Sequence, residues 1–264
     1  MIGKMKDKDK KSGFSLKKLL IVLFWLAVWE IADRIVQNRI ILCGPLHILS
    51  ALKEQLTADD FAQICWASFV RITAGFLLSF VAGFFLALAA YRFTIIKDFL
   101  SPVLTLLKTV PMISFVIMLL IWVGNQQLTI YLSFLIVLPL IYTNVLTGLE
   151  SVDKQMLEMA QVFGISGWKK FLYIYRPAFM PFLLSSCKVS LGLSWKSGIM
   201  AEVIATPKPS IGREMYQAKA YLQTPKLFAW TVIVIVFSII FEKVFLLLLK
   251  QLGRPFGSLM GRKD

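Results

Sequence analysis

The sequence predicts an all-α integral membrane protein with about six transmembrane helices. Three observations carry that reading. Hydrophobic residues make up 58% of the 264 and mean hydropathy is +0.73, above the roughly half-apolar composition of globular domains. Several windows reach about 20 residues with few charges, the length that crosses ~30 Å of hydrocarbon. Lysine and arginine gather in alternate connecting segments, as membrane topology requires.

The spans are read at 16–35, 66–91, 99–123, 128–149, 178–204 and 227–249. The first is short in its clean apolar run, Leu19 to Trp29, and then meets Glu30, Asp33 and Arg34. A cleavable signal peptide is the competing reading there, opposed by a long basic lead and the lack of a small-x-small cleavage site. The segments left over are a basic N-terminal stretch (1–15), a transmembrane domain (16–249) containing a polar loop at 150–177, and a basic tail (250–264).

Charge orients these spans. With the N-terminus inside, the cytoplasmic segments carry Lys4, Lys6, Lys8, Lys10, Lys11, Arg92, Lys97, Lys154, Lys169, Lys170, Arg176, Lys250, Arg254, Arg262 and Lys263, fifteen cations. The outer segments carry Arg39, Lys53, Lys208, Arg213, Lys219 and Lys226, six. That asymmetry puts both termini in the cytoplasm, which requires an even number of spans. It also accounts for the net charge of +14 without a nucleic-acid partner. Membrane lipid is the polyanion such a chain meets.

Prolines and glycines recur in the spans: Pro102 and Pro111 around the third, Pro139 in the fourth, Gly75 and Gly83 in the second, Gly192 and Gly198 in the fifth. Glycine allows close helix approach and proline interrupts the hydrogen-bond ladder. Ordinary bundle packing explains most of them, and bends at Pro111 and Pro139 would also suit helices that rock between two states.

The 150–177 loop has its own architecture. Val152, Met156, Met159, Ala160 and Phe163 fall on one helical side. Ser151 is a candidate N-cap, with Asp153 suiting the dipole in the first turn. Gly164 ends that helix, because glycine tolerates the left-handed turn a C-terminus needs. A second helix from Ser166 would carry Trp168, Phe171, Leu172 and Tyr175 and stop at Pro177. Such a pair could bury its apolar side in a partner's groove, or lie on the membrane interface, held by Trp168, Lys169 and Lys170.

Ionisable residues inside spans cost several kcal/mol and mark function or pairing. Lys188, Gly192 and Lys196 fall on adjoining faces of the fifth span, a small residue between two cations that would line a pathway for an anion. Pairing or snorkelling is the structural alternative. Arg71 and Glu202 are both placed near the outer surface, a candidate ion pair.

The loop residues carry a resemblance. Glu158-Met159-Ala160 with Gly164, then Ile174 and Pro177, resembles the cytoplasmic coupling loop of bacterial ABC-importer permeases, E-A-A-x-x-x-G, nine residues, then I-x-L-P. Met159 replaces the second position and Arg176 the usual leucine. From about Ser68 to Glu242 the chain is similar to the nitrate/sulfonate/taurine subgroup, through Ser68-Phe69-Val70-Arg71-Ile72-Thr73-Ala74-Gly75-Phe76, Val110-Pro111, Leu149-Glu150-Ser151-Val152-Asp153, Gly192-Leu193-Ser194-Trp195 with Ala201-Glu202, and Thr224-Pro225-Lys226-Leu227-Phe228-Ala229.

This resemblance implies a type I ABC importer permease fold. It implies an ATPase-coupling role for Glu158, Met159, Ala160, Gly164, Trp168, Ile174 and Pro177, a second permease subunit (usually a second copy), a cytoplasmic ATPase dimer and an extracytoplasmic solute-binding protein. The location implied is the bacterial plasma membrane, and the solute a small anion such as nitrate, a sulfonate or taurine. An importer of a thiamine-precursor-like heterocycle, and a secondary transporter acting without an ATPase, are the alternatives.

No catalytic role is expected. The chain has no G-x-x-x-x-G-K-[ST], so ATP and magnesium would be bound by the partner. Cys43, Cys65 and Cys187 show no metal spacing, and one histidine, His47, leaves no His-rich metal site. Gly164-Ile165-Ser166-Gly167 superficially matches an intramembrane serine protease, but Ser166 lies in a polar loop and His47 is placed across the membrane from it.

Overall fold

The computed structural model describes residues 3–38 and 42–253, with side chains from 18 to 38 and from 42 to 251. The basic lead's side chains and most of the 250–264 tail lie outside the described residues. Every regular element among the described residues is helical. In chain order we label them α1 (Gly3–Val36), α2 (Pro45–Leu56), α3 (Phe61–Arg92), α4 (Thr94–Thr109), α5 (Met112–Glu150), α6 (Lys154–Val162), α7 (Gly167–Lys170), a π-helical turn (Phe171–Tyr175), α8 (Arg176–Ala205), α9 (Ile211–Ala220) and α10 (Thr224–Gly253). Three described helices are long and apolar enough to cross a membrane: Phe61–Arg92, Met112–Glu150 and Thr224–Gln251.

The chain divides into two compact units. The first comprises 1–61 and 214–232, the second 62–213 and 233–264. In the first unit, Trp29 meets Phe228 edge-on at 6.1 Å and Phe61 stacks on Trp230 at 5.9 Å. His47 Nε2 stands 3.7 Å from Asp33 Oδ2. Lys226 Nζ donates to Glu214 Oε2 at 3.1 Å.

The second unit is built on α5 against α8. Small residues set how closely they pack: a Cβ on Gly148 would lie 2.7 Å from the Cα of Phe179, so a side chain there would push the helices apart. The register is antiparallel, since the Ser186 hydroxyl donates to the Leu140 carbonyl at 3.1 Å and the Ser133 hydroxyl to the Ser194 carbonyl at 3.4 Å. Gly75 and Gly83 of α3 do the same against α5, where added Cβ atoms would meet the Ile130 carbonyl at 2.6 Å and Ile141 at 3.0 Å. Around this contact Phe76, Val137, Ile141, Val145, Leu183, Cys187 and Leu191 are buried in one apolar cluster.

Two boundaries differ from the sequence reading. The third span, placed at 99–123, is broken: α4 ends at Thr109, Val110 is extended at φ −66°, ψ 132°, and α5 starts at Met112. The cause is Pro111, which disfavours the helical region for the residue before it yet suits the N-cap it occupies. Residues 124–127, placed as a connection, are instead largely helical, with the interruption confined to Gly124 at φ 73°, ψ 179°, a conformation open to glycine alone. Pro139, by contrast, stays inside α5.

Candidate functional site

The loop between α5 and α8 folds as a short helix, a glycine turn and a second helical start. α6 is capped by Asp153, whose Oδ1 accepts from the Gln155 amide at 2.9 Å. Ser151 instead closes α5, its amide donating to Thr147 and its hydroxyl to the Gly148 carbonyl at 2.8 Å. The N-cap therefore falls two residues later than the sequence suggested, because α5 continues to Glu150.

Gly164 ends α6 at φ +64°. Its amide donates to the Gln161 carbonyl at 3.0 Å, and the Ile165 amide donates to Ala160 at 2.9 Å. This pair of reversed bonds is the glycine-dependent helix stop that satisfies the last carbonyls. Nothing lies within 4 Å of a Cβ built on Gly164, so backbone conformation, not crowding, requires glycine there.

Pro177 does not terminate the second helix. Gly167 to Ala205 runs on continuously through α7, the π turn and α8, with Pro177 in the first turn of α8. The wider π turn supplies the accommodation: the Arg176 amide bonds to the Phe171 carbonyl five residues back.

Of the loop residues singled out in the sequence, Ala160 is fully buried, Ile174 is half-buried, and Glu158, Met159, Gly164, Trp168 and Pro177 are exposed. Phe171 and Tyr175 anchor the base, packing on Phe179 at 6.0 Å and Tyr91 at 5.7 Å. What projects is apolar: Val162 is 84% exposed, Phe163 74% and Trp168 73%.

On α8, Lys188 and Lys196 are exposed and Gly192 is half-buried between them. Neither lysine pairs with another described residue. A Cβ on Gly192 would find nothing within 4 Å. The three residues thus border open space on one side of α8, while the opposite side, with Cys187, Leu191, Ser194 and Gly198, is buried.

The structure brings Arg71 and Glu202 together, Nη1 to Oε1 at 3.6 Å. Glu202 Oε2 also accepts from the Ser68 hydroxyl at 2.7 Å and the Gly212 amide at 3.2 Å. Arg71 donates to the Pro209 carbonyl at 2.7 Å and the Gln126 side chain at 3.0 Å. Ser68 in turn accepts from the Ile211 amide at 2.8 Å. Sequence reading named the pair but missed Ser68, Gln126 and the amides of Ile211 and Gly212, since distant backbone groups leave no sequence trace. Among the described residues, no group of His, Cys, Asp or Glu could hold a metal.

The family model described as "Binding-protein-dependent transport system inner membrane component" matches residues 79–254, from α3 past the end of α10. The chain belongs to that family. It is an ABC-importer permease. The putative aliphatic sulfonates transport permease protein SsuC of Bacillus subtilis is 26% identical to this permease over 226 residues, 85% of this chain and 81% of the relative. The taurine transport system permease protein TauC of Escherichia coli is 21% identical over 211 residues, 80% and 74%. The nitrate import permease protein NrtB of Leptolyngbya laminosa is 28% identical over 145 residues, 54% and 52%. These relatives place the permease with the nitrate/sulfonate/taurine subgroup.

A solved bacterial ABC transporter that imports the acidic polysaccharide alginate has the same fold. Its TM-score is 0.55 at 15% identity, covering 96% of this permease and 99% of that chain. The all-α type I permease architecture follows from that likeness.

Proposed function

We propose that this permease forms the pathway of a binding-protein-dependent importer for a small anion and takes its driving motion from a cytoplasmic ATPase dimer docked on the α6–α7 loop. One observation carries the proposal: Val162, Phe163 and Trp168 stand exposed on a protrusion whose ends are fixed by the Asp153 cap, the Gly164 turn and the Phe171 anchor. A rigid apolar protrusion matches helix-in-groove recognition. A helix lying on lipid would not need the fixed angle that Gly164 supplies.

In this reading the loop faces the cytoplasm, as the lysine and arginine bias requires, and both termini lie on that side. Two copies of the permease enclose the pathway, and an extracytoplasmic binding protein delivers the solute. ATP closes the ATPase dimer, the docked loops move with it, and the helices rock so that the pathway opens to one side at a time. ATP and solute then bias one two-state element from separate sites, which is allosteric coupling. Lys188 and Lys196, unpaired beside Gly192, supply positive charge along the pathway and favour an anion. The sulfonate, taurine and nitrate permeases among the relatives support that solute class.

The test is co-purification of the tagged permease in mild detergent, comparing wild type with Gly164→Asp and Glu158→Lys. An ATPase subunit recovered with wild type and lost or uncoupled in both variants upholds the proposal. Absence of any ATPase, with the variants behaving as wild type, defeats it in favour of a transporter working alone.

A further inference from the structure

Another lysine lies inside the span read at 99–123. Lys108, in the last turn of α4, is exposed, and its Nζ donates to the Thr143 hydroxyl of α5 at 2.9 Å. Thr143 in turn donates to the Pro139 carbonyl at 2.6 Å, so its oxygen is free to accept from the ammonium. An ammonium carries three donors; this contact uses one, and no carboxylate among the described residues pairs with Lys108.

Depth follows from the helices themselves. Lys97 and Glu150 pair at 2.6 Å at the start of α4 and the end of α5. Lys108 is eleven residues along α4 from Lys97 and Thr143 seven along α5 from Glu150, which at ~1.5 Å per residue puts the contact roughly 10–16 Å further in. With the Lys97–Glu150 pair at the membrane boundary, that is well inside a hydrocarbon core of ~30 Å. A cation at such depth faces protein or water, not lipid.

The surroundings of Lys108 agree. Ser101 and Thr105 precede it at helical spacing on α4 and are exposed, as is Thr147 on α5. Thr105 and Thr147 spend their protons on carbonyls four residues back, at 2.8 and 2.9 Å. Those two hydroxyls therefore donate little, and the spare donors on this wall are the Lys108 ammonium and the Ser101 hydroxyl.

We propose that Lys108, held by Thr143, is a specificity-determining contact that donates to an oxyanion solute as it passes the α4–α5 wall. This rests on the importer reading above and names the chemistry its solute must have: a negatively charged sulfonate- or nitrate-type group. Thr143 is a positioning residue, acting through the lysine.

The test is ATP-driven uptake of radiolabelled ethanesulfonate by the assembled transporter in proteoliposomes, for wild type, Lys108→Met, Lys108→Arg and Thr143→Val. Expected are a KM raised about tenfold in Lys108→Met, largely restored in Lys108→Arg, and raised less in Thr143→Val, with kcat little changed, as loss of one charge-assisted hydrogen bond implies. A Lys108→Met variant with wild-type KM overturns the proposal and leaves the importer reading standing. Equal loss in Lys108→Met and Lys108→Arg makes the role structural and also overturns it. Should Lys108→Met fail to assemble, Thr143→Val decides: an unchanged KM rejects the proposal. No ethanesulfonate uptake by wild type overturns the anion reading and this proposal with it.

Discussion

Arg71 and Glu202 face each other at 3.6 Å, yet the shorter hydrogen bonds of each run to other groups. The carboxylate is fully buried and takes Ser68 and the Gly212 amide, while the guanidinium, 15% exposed, takes the Pro209 carbonyl and Gln126. Charge attraction and charge-assisted hydrogen bonds to neutral groups are thus shared around one knot joining α3, α5, α8 and the turn before α9. Removing one charge leaves the other buried without compensation, a change that costs roughly 3–5 kcal/mol. Arg71→Met should lower the unfolding midpoint of the detergent-purified permease markedly. Arg71→Met with Glu202→Gln together should cost less than the two separate losses combined. Thermal melts of the four proteins measure this coupling, and additive losses would show that the ion pair contributes nothing of its own.

The same knot explains a glycine. A Cβ on Gly212 would run into the Cβ of Glu202 and come within 2.6 Å of the Val203 amide nitrogen. Backbone atoms cannot swing aside, so Gly212→Ala should destabilise by about 1–3 kcal/mol or more. Gly192→Ala is the matched comparison on the same helix bundle. It meets nothing within 4 Å and lies inside α8, where alanine is favoured over glycine by about 0.5–1 kcal/mol. Its melt should match or exceed wild type. A similar fall for both variants would mean the loss reflects glycine chemistry in general and not the approach of Gly212 to Glu202.

Much of this was readable in the sequence, for identifiable reasons. Long apolar runs located α3 and α10 within a few residues, and Gly164 marked the end of α6 because a left-handed turn has a strong residue preference. Proline was less informative. Pro111 reads equally as a bend or a break, and Pro177 as a stop or a start, since its lost amide matters only in a helix interior. The sequence offers Ser151 as N-cap where Asp153 fills that place, because both residues are good caps and only the length of α5 separates them. Lys108 leaves no mark in the sequence because its importance depends on Thr143, thirty-five residues away, and on a helix break that moves it to the end of α4.

The loop's rigidity has two separable sources. Asp153→Ala removes the cap on the Gln155 amide and should cost α6 about 1 kcal/mol, whereas Asp153→Asn keeps an accepting oxygen and should cost little. Gly164→Ala places a side chain at φ +64°, a penalty of roughly 1–2 kcal/mol. Hydrogen–deuterium exchange over 153–165 reads both changes. Opening at that segment should rise about fivefold in Asp153→Ala and roughly five- to twenty-five-fold in Gly164→Ala, given ~1.4 kcal/mol per tenfold. Unchanged exchange in both would mean that the loop is held by Phe171 and Tyr175 alone.

Lys196 gives the sharpest test of the pathway reading. Its ammonium is exposed on α8 and pairs with no described group, so replacing it breaks no internal contact and should leave the fold intact. Lys196→Met keeps most of the side chain's length and apolar stem while removing the charge. If the open side of α8 is pathway, anion uptake should fall by about tenfold or more, as the loss of one favourable charge contact in a poorly solvated channel implies. Assembly of the complex, read by size-exclusion elution, should not change. Wild-type uptake in this variant would assign Lys196 to the protein surface and leave the anion preference to be carried by other residues.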